Sequence, residues 1–158
     1  MNDRVRAERL VAELGAAMGL GELTLDAATD STVLVFDGEL IVNLEYDAAA
    51  GRLVFSSYLG ELPAAGAEAA LRELMAANLF WHRTRGATLC LEEGTGGIIL
   101  LYAHPVADLD ARRIEAVLEN VVNQAERWGG RLAAMAAEGA APDASVPLAD
   151  ADTITIRL

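Results

Sequence analysis

The sequence predicts an α+β fold, a twisted antiparallel sheet covered by helices, in the element order α-β-β-β-α-β-β-α. Segments with the 3.6-residue apolar period of a helix alternate with segments whose apolar residues recur at every second position. Short turns join successive strands and make them antiparallel, and Asp37-Gly38 is the strongest hairpin signal among them. The length of 158 residues suits about one domain with a core of its own.

The first helix is predicted over residues 3–19. Its apolar side chains share one helical face, made of Leu10, Val11, Leu14 and Met18. Charged side chains lie mostly off this face, so the helix is amphipathic and can cover a sheet. Asn2 or Asp3 can cap its start, and Gly19 or Gly21 can end it.

A meander of three strands is predicted at residues 31–37, 39–46 and 52–59. Its second strand is predicted to line the core with one face, made of Leu40, Val42, Leu44 and Tyr46. Nothing in the sequence covers the opposite face of the meander, which carries Val33, Val35, Ile41 and Val54. A register shift of one residue would exchange the two faces.

After a linker at 60–66, a second helix is predicted over 67–81. One face of this helix carries Leu71, Leu74, Met75, Asn78 and Leu79. The amide of Asn78 is either capped near the helix end or a polar pin in a helix–helix contact across a dimer. Phe80 and Trp81 belong either to the core or to an interface, and the sequence leaves both open.

Two further strands are predicted at 87–92 and 98–103, joined by the turn 94–97. The later strand is apolar on both faces and is therefore expected inside the sheet. Asp108 is predicted to cap a long third helix. The apolar residues of this helix step by four and three positions in a heptad-like pattern: Ile114, Leu118, Val121, Ala125, Trp128, Leu132 and Met135. Because the pattern covers barely three heptads, packing against the sheet is favoured over a coiled coil.

The domain is predicted to cover residues 1–137, and residues 138–158 are predicted to form a flexible acidic tail. Thr153–Leu158 alternates β-branched polar and apolar residues, which is typical of a strand. The linker before it would let this strand reach the edge of its own sheet or that of a dimer partner. A disordered tail is the alternative.

Charge and composition exclude several classes of protein. The formal net charge is −12, so phosphate backbones and anionic membranes are repelled, and we expect neither nucleic acid nor a membrane as a partner. The chain contains no lysine, which removes Schiff-base chemistry and a P-loop. No run of about 18 apolar residues and no export signal is present, and one cysteine cannot form an internal disulfide. A reducing cytoplasm is therefore expected.

Candidate catalytic and metal-binding residues are few. Cys90 is the only thiol, and it alternates with leucines in a strand, which favours a small buried side chain over a nucleophile. Cys90, His82 and His104 could be considered as zinc ligands. A structural zinc site needs four ligands and usually close Cys/His pairs, and the sequence has neither.

Two other patterns also favour structure over chemistry. Glu92 and Glu93 could form an acid–base pair, yet neighbouring residues of a strand point to opposite faces. The glycine-rich turn 94–97 joins two strands and so offers a phosphate no helix N-terminus. We therefore predict no catalytic residue, no cofactor and no metal site, in a binding protein that is not an enzyme. A small enzyme that uses Cys90 or a histidine is the alternative from another class.

Three segments resemble one protein family. Residues 10–26, LVAELGAAMGLGELTLD, are similar to an opening helix followed by Gly-Leu and a short Leu-x-Leu-Asp. Residues 71–93, LRELMAANLFWHRTRGATLCLEE, carry the most specific part, an Asn-Leu-Phe-Trp helix end, a Thr-x-Gly turn and Ala-Thr-Leu-x-Leu. Residues 100–128, LLYAHPVADLDARRIEAVLENVVNQAERW, resemble the Leu-Asp start and the Trp-terminated last helix. Residues 5–132 thus resemble the class I type III secretion chaperones, the Tir-chaperone (CesT-like) family, although Arg85 stands where the family usually has a small residue.

The resemblance implies a homodimer in the bacterial cytoplasm that binds the N-terminal segment of a secreted effector. The effector would be held in extended form, soluble and competent for secretion, without a nucleotide. A separate secretion ATPase is implied as a further partner. The nearer alternative is a chaperone-fold regulator that sequesters a transcriptional activator or another secretion component.

Two sets of site residues follow. The resemblance and the apolar face of the second helix together predict a dimer interface at Leu71, Leu74, Met75, Asn78 and Phe80. The outward face of the meander is predicted to bind the effector, with the residues Val33, Val35, Ile41 and Val54. Addition of an extended client strand to a sheet edge, with pockets for alternate side chains, would serve such binding.

Overall fold

The first helix shows how local sequence sets the limits of an element. The structure, a computed structural model, describes residues 2–140. Helix α1 (Asp3–Ala17) begins where the Asn2 side chain accepts a hydrogen bond from the Arg4 N–H, at 3.2 Å. Of the two predicted caps, Asn2 is therefore the one used. The helix ends before Gly19, whose φ of +69° suits a glycine.

Five antiparallel strands form one sheet in the part of the chain that the structure describes. The elements after α1 are β1 (Ser31–Phe36), β2 (Leu40–Asp47), β3 (Arg52–Glu61), α2 (Ala67–Ala77), β4 (Thr88–Glu92), β5 (Gly97–Pro105) and α3 (Ala111–Ala140). The spatial order of the strands is β1-β2-β3-β5-β4. The predicted fold class is confirmed, and β5 lies inside the sheet as its apolar pattern predicts. Strands β1 and β4 are the two edges.

The sheet has one covered face and one open face. The covered inner face packs against α1 and α3 in the core, and its buried residues include Leu34, Val42, Leu44, Leu53, Phe55, Ile98 and Leu100. The outer face carries the alternate residues of the same strands, among them Val33, Val35, Ile41, Val54 and Ile99. The predicted assignment of the meander's two faces is therefore confirmed.

Helix α3 crosses the inner face with the predicted apolar residues. All seven of them, from Ile114 to Met135, are buried. Its start differs from the prediction, because Asp110 caps the helix by accepting a hydrogen bond from the Arg113 N–H at 2.8 Å. Asp108 instead lies in a short 3-10 turn that precedes the helix. At the other end, α3 continues to Ala140, three residues past the boundary predicted at 137.

Helix α2 is shorter than predicted. It ends at Ala77, and a 3-10 turn over Leu79–Trp81 replaces its expected last turn. Phe80 and Trp81 both have a φ of +53°, a left-handed conformation that is rare for aromatic residues. This reversal directs the chain from α2 into β4. The predicted tail and its strand at 153–158 lie outside the described residues.

Candidate functional site

An exposed apolar patch covers the outer face of the first hairpin. Val33, Val35 and Ile41 are 56%, 57% and 53% exposed, and Val35 pairs directly with Ile41 across the hairpin. Val54 on β3 is half-buried and lies opposite Glu45. We call these four valine and isoleucine residues the hairpin surface. Contiguous apolar patches on a protein surface often mark interaction sites, so the hairpin surface is a candidate for binding.

A groove of about 370 Å³ runs along β1 beside the hairpin surface. Its apolar lining comes from the end of α1 and the segment that follows it, Met18, Leu20 and Leu23, together with β1. Leu20 is 52% exposed. The predicted effector-binding residues did not include Met18 or Leu20, and Met18 was assigned only to the apolar face of the first helix. The apolar pair that flanks Gly19 at the end of that helix is the signal in the sequence that could have pointed to them.

A second apolar patch lies at the opposite edge of the sheet. Its members come from the end of α2, the 3-10 turn and β4, and we call it the α2–β4 surface: Met75, Leu79, Phe80, Trp81 and Leu91. Met75 and Phe80 are each 72% exposed. The α2–β4 surface thus lies beyond β5 from the hairpin surface, which covers β1, β2 and part of β3.

The predicted interface residues divide into three kinds. Met75 and Phe80 lie on the α2–β4 surface, and Leu71 is half-buried beside it. Leu74 is 4% exposed and belongs to the subunit's own core. Trp81, left open between core and interface, is 53% exposed, and its Nε1–H donates to the Thr88 hydroxyl at 3.1 Å. The neighbouring Leu79 and Leu91 were missing from the predicted interface.

Asn78 is bonded within the subunit. Its Nδ2 donates to the Leu89 carbonyl oxygen at 3.0 Å, and its Oδ1 accepts from the Leu89 N–H at 2.9 Å. The amide therefore pairs with the backbone of β4 and does not cap its own helix. Its role in a helix–helix contact across a dimer stays a prediction. The side chain occupies the edge of β4 as a neighbouring strand would.

An ion-pair network fixes α2 against α3. The Arg131 guanidinium donates to both carboxylate oxygens of Glu73, at 2.9 and 2.8 Å, and also contacts Glu138 at 2.8 Å. The hydrogen bond from Arg131 lowers the pKa of the Glu73 carboxyl, and partial burial opposes that effect. Arg83 approaches Glu73 at 3.5 Å as well. The network holds the turn beyond α2 in place.

The residues considered for chemistry show no catalytic arrangement. Burial raises the pKa of the Cys90 thiol, which keeps it protonated and a poor nucleophile. Within residues 2–140, no three His, Cys, Asp or Glu side chains are close enough together to hold a metal ion. Glu92 accepts a hydrogen bond from the Thr95 hydroxyl at 2.5 Å, so it is part of the turn between β4 and β5. None of the described helices is both long and apolar enough to cross a membrane.

Comparison with known proteins gives the same architecture. The solved structure of the ExsC–ExsE complex superposes with a TM-score of 0.72 and 29% identity, over 84% of this chain and 97% of the other. The HopA1–SchA chaperone–effector complex superposes with a TM-score of 0.67 and 16% identity, over 80% of this chain and 95% of the other. The Yersinia pestis type III secretion chaperone SycH, in complex with a stable fragment of YscM2, superposes with a TM-score of 0.62 and 20% identity, over 76% of this chain and 97% of the other. No curated protein matches the sequence.

The α+β fold, with helices on one face of the sheet, is the fold of a solved type III secretion chaperone. Residues 9–129 match the Tir chaperone protein (CesT) family, and the chain belongs to that family. The match covers most of the described residues, from α1 through the Trp128 region of α3. The family is one of chaperones, and the resemblance seen in the sequence is confirmed.

Proposed function

We propose that this chaperone binds the N-terminal segment of a type III secreted effector in extended form and keeps it soluble and competent for secretion. The observation that carries this proposal is the hairpin surface, because three β-branched side chains there are more than half exposed beside an apolar groove. Two similar structures are described as complexes, one of ExsC with ExsE and one as a chaperone–effector complex. A bacterial cytoplasmic protein without catalytic activity is part of the same proposal.

The edge of β1 offers a second element of recognition. The Ser31 carbonyl oxygen accepts a hydrogen bond from the Asp26 N–H at 2.8 Å, so the backbone groups of Ser31 point away from β2. Backbone groups of alternate residues in a strand point in the same direction, so Val33 and Val35 also present their N–H and C=O groups to this open edge. An extended client can therefore add a strand here while its side chains enter the groove.

The α2–β4 surface supports a homodimer. Its five large apolar residues form a cluster at the edge of the sheet that does not carry the hairpin surface. A second copy of the chain is a suitable occupant, because an isologous contact would cover the same cluster on both copies at once. Two hairpin surfaces would then remain open to one client. Since the chain has no P-loop lysine, nucleotide-driven release is assigned to a separate secretion ATPase.

Co-expression with a secreted protein encoded beside this gene tests the client proposal. We expect Val35→Asp and Ile41→Asp to abolish co-purification, because a charge on the hairpin surface would be desolvated in the complex. Val5→Asp is the matched control, since Val5 on α1 is 50% exposed but lies outside both patches. Client capture that survives both hairpin substitutions would reject this surface. Capture of a transcriptional activator in place of an effector would favour the alternative function, a chaperone-fold regulator that sequesters such an activator.

A further inference from the structure

The groove at the edge of β1 has two chemically different sides. On the inner side it is apolar, lined by Leu23, Leu34 and Phe36 together with the end of α1. On the outer side, Val33 and Val35 lie next to the carboxylates of Asp37, Glu39 and Glu45, all exposed. None of these three carboxylates forms an ion pair with another described residue. A strand that fits here needs apolar side chains on one face and a cation on the other.

One segment of this chain has that pattern. In Thr153–Leu158, the residues Ile154, Ile156 and Leu158 fall on one face of an extended strand. The other face carries Thr153, Thr155 and Arg157. Arg157 is the only basic residue among residues 141–158. The segment thus complements the groove in both hydrophobicity and charge.

The length of chain after α3 allows the contact. Gly139 packs so closely on the Ala65 backbone that a Cβ there would overlap the Ala65 carbonyl oxygen, which holds the end of α3 against the linker that follows β3. The end of β1 lies at the same end of the sheet, two strands and therefore about 10 Å from β3. Twelve residues, 141–152, separate the segment from α3, and a random-coil chain of that length would span about 17–21 Å, enough to cover that separation.

We propose that Thr153–Leu158 adds as a strand to the edge of β1 in the client-free chaperone, with its isoleucines in the groove and Arg157 beside the outer carboxylates. The groove and the open backbone edge of β1 are then occupied until an effector displaces the segment. The inference rests on the client surface proposed above, but the docking itself needs no client. Tethering gives the segment an effective concentration in the millimolar range, so a weak strand competes measurably.

A spin label on the segment tests the docking in the full chain. Cys90→Ser removes the only native thiol, and Thr155→Cys then carries the label on the face that does not enter the groove. We expect paramagnetic broadening of the Val33 and Val35 amide signals, abolished when Ile154→Asp and Ile156→Asp are added. A label at Ser145→Cys is the matched control and should broaden these signals less. Equal broadening from both labels, or none at these valines, would overturn the proposal.

Peptide binding gives an independent measurement. The probe is a fluorescent synthetic peptide of residues 149–158, added to the full chain with and without Ile154→Asp and Ile156→Asp. We expect about tenfold tighter binding to the substituted chain, because its own segment no longer competes. Equal affinity for both chains would overturn the proposal. If docking is observed but Val35→Asp leaves client capture intact, the client proposal fails while this inference stands.

Discussion

The side chain of Asn78 pairs with the backbone of Leu89 through both of its polar atoms, at 3.0 and 2.9 Å. Leu89 lies on the edge strand β4, whose outward N–H and C=O groups would otherwise lack a partner. An edge strand with open backbone groups can pair with another chain. Asn78 therefore joins α2 to the sheet and also shortens the edge that β4 leaves open.

Asn78→Ala should lower the free energy of unfolding by about 1–3 kcal/mol, because two partly buried backbone groups of Leu89 lose their partners. Denaturant unfolding at one protein concentration measures the change. Asn123→Ala is the control, since Asn123 is exposed on α3, and it should change stability by less than about 0.5 kcal/mol. Equal effects of the two substitutions would contradict a structural role for the Asn78 amide.

Two helical glycines should respond to alanine with opposite signs. A Cβ on Gly130 meets no atom within 4 Å, so Gly130→Ala should stabilise the protein by up to about 1 kcal/mol through helix propensity. A Cβ on Gly15 would lie 2.5 Å from the Leu23 Cβ and 2.9 Å from the Gly21 carbonyl oxygen, so Gly15→Ala should destabilise. Thermal unfolding of both variants measures the two signs. If Gly15→Ala stabilised the protein, the segment at Gly21–Leu23 would have to move away from the new Cβ without a loss of stability.

The oligomeric state should depend on Phe80 and not directly on Leu74. Phe80→Asp places a charge on the α2–β4 surface and should convert the dimer to a folded monomer, seen by light scattering with unchanged circular dichroism. Leu74→Asp should instead unfold the subunit, because Leu74 is buried within it. A wild-type protein that is monomeric at micromolar concentration would contradict the dimer altogether.

The Glu73–Arg131 contact should make stability depend on pH. The hydrogen bond from Arg131 holds the pKa of Glu73 below its ordinary value of 4.5, so the folded state favours the ionised carboxylate. Its contribution is fully present above about pH 4.5 and is lost as the pH falls through the lowered pKa. Wild type should exceed Glu73→Gln in stability at pH 7, and the difference should shrink below pH 4.5. A constant difference from pH 7 to pH 3 would assign the effect to packing.

Within residues 2–140, the sequence predicted each α-helix and each strand, because periodicity and turn chemistry agree along most of this part of the chain. It misplaced the end of α2, since the helical pattern continues through Leu79 while the backbone reverses at Phe80 and Trp81. That reversal depends on β4, which supplies the partner of Asn78 from eleven residues away. A contact between distant segments leaves no local signal in the sequence.

The site could be predicted only in part. The period of two along the strands predicted that Val33, Val35 and Ile41 lie on the open face of the sheet, and the structure shows all three exposed there. Leu74 and Met75 are neighbours on the same predicted helical face, yet one is 4% and the other 72% exposed. The difference comes from how α2 is rotated against β4 and α3, which three-dimensional packing determines and periodicity does not.

The strand order β1-β2-β3-β5-β4 has a consequence for the time course of folding. The meander of β1, β2 and β3 is joined by short turns and closes at small entropic cost. Residues 62–96 separate β5 from its partner β3 in the sequence. Strand β4 joins the sheet only through β5, so it becomes the edge strand after β5 has paired with β3. Because local pairings form faster than distant ones, we expect the hairpin surface to exist before the α2–β4 surface is complete. A nascent chain could therefore meet its client before it meets a second copy of itself.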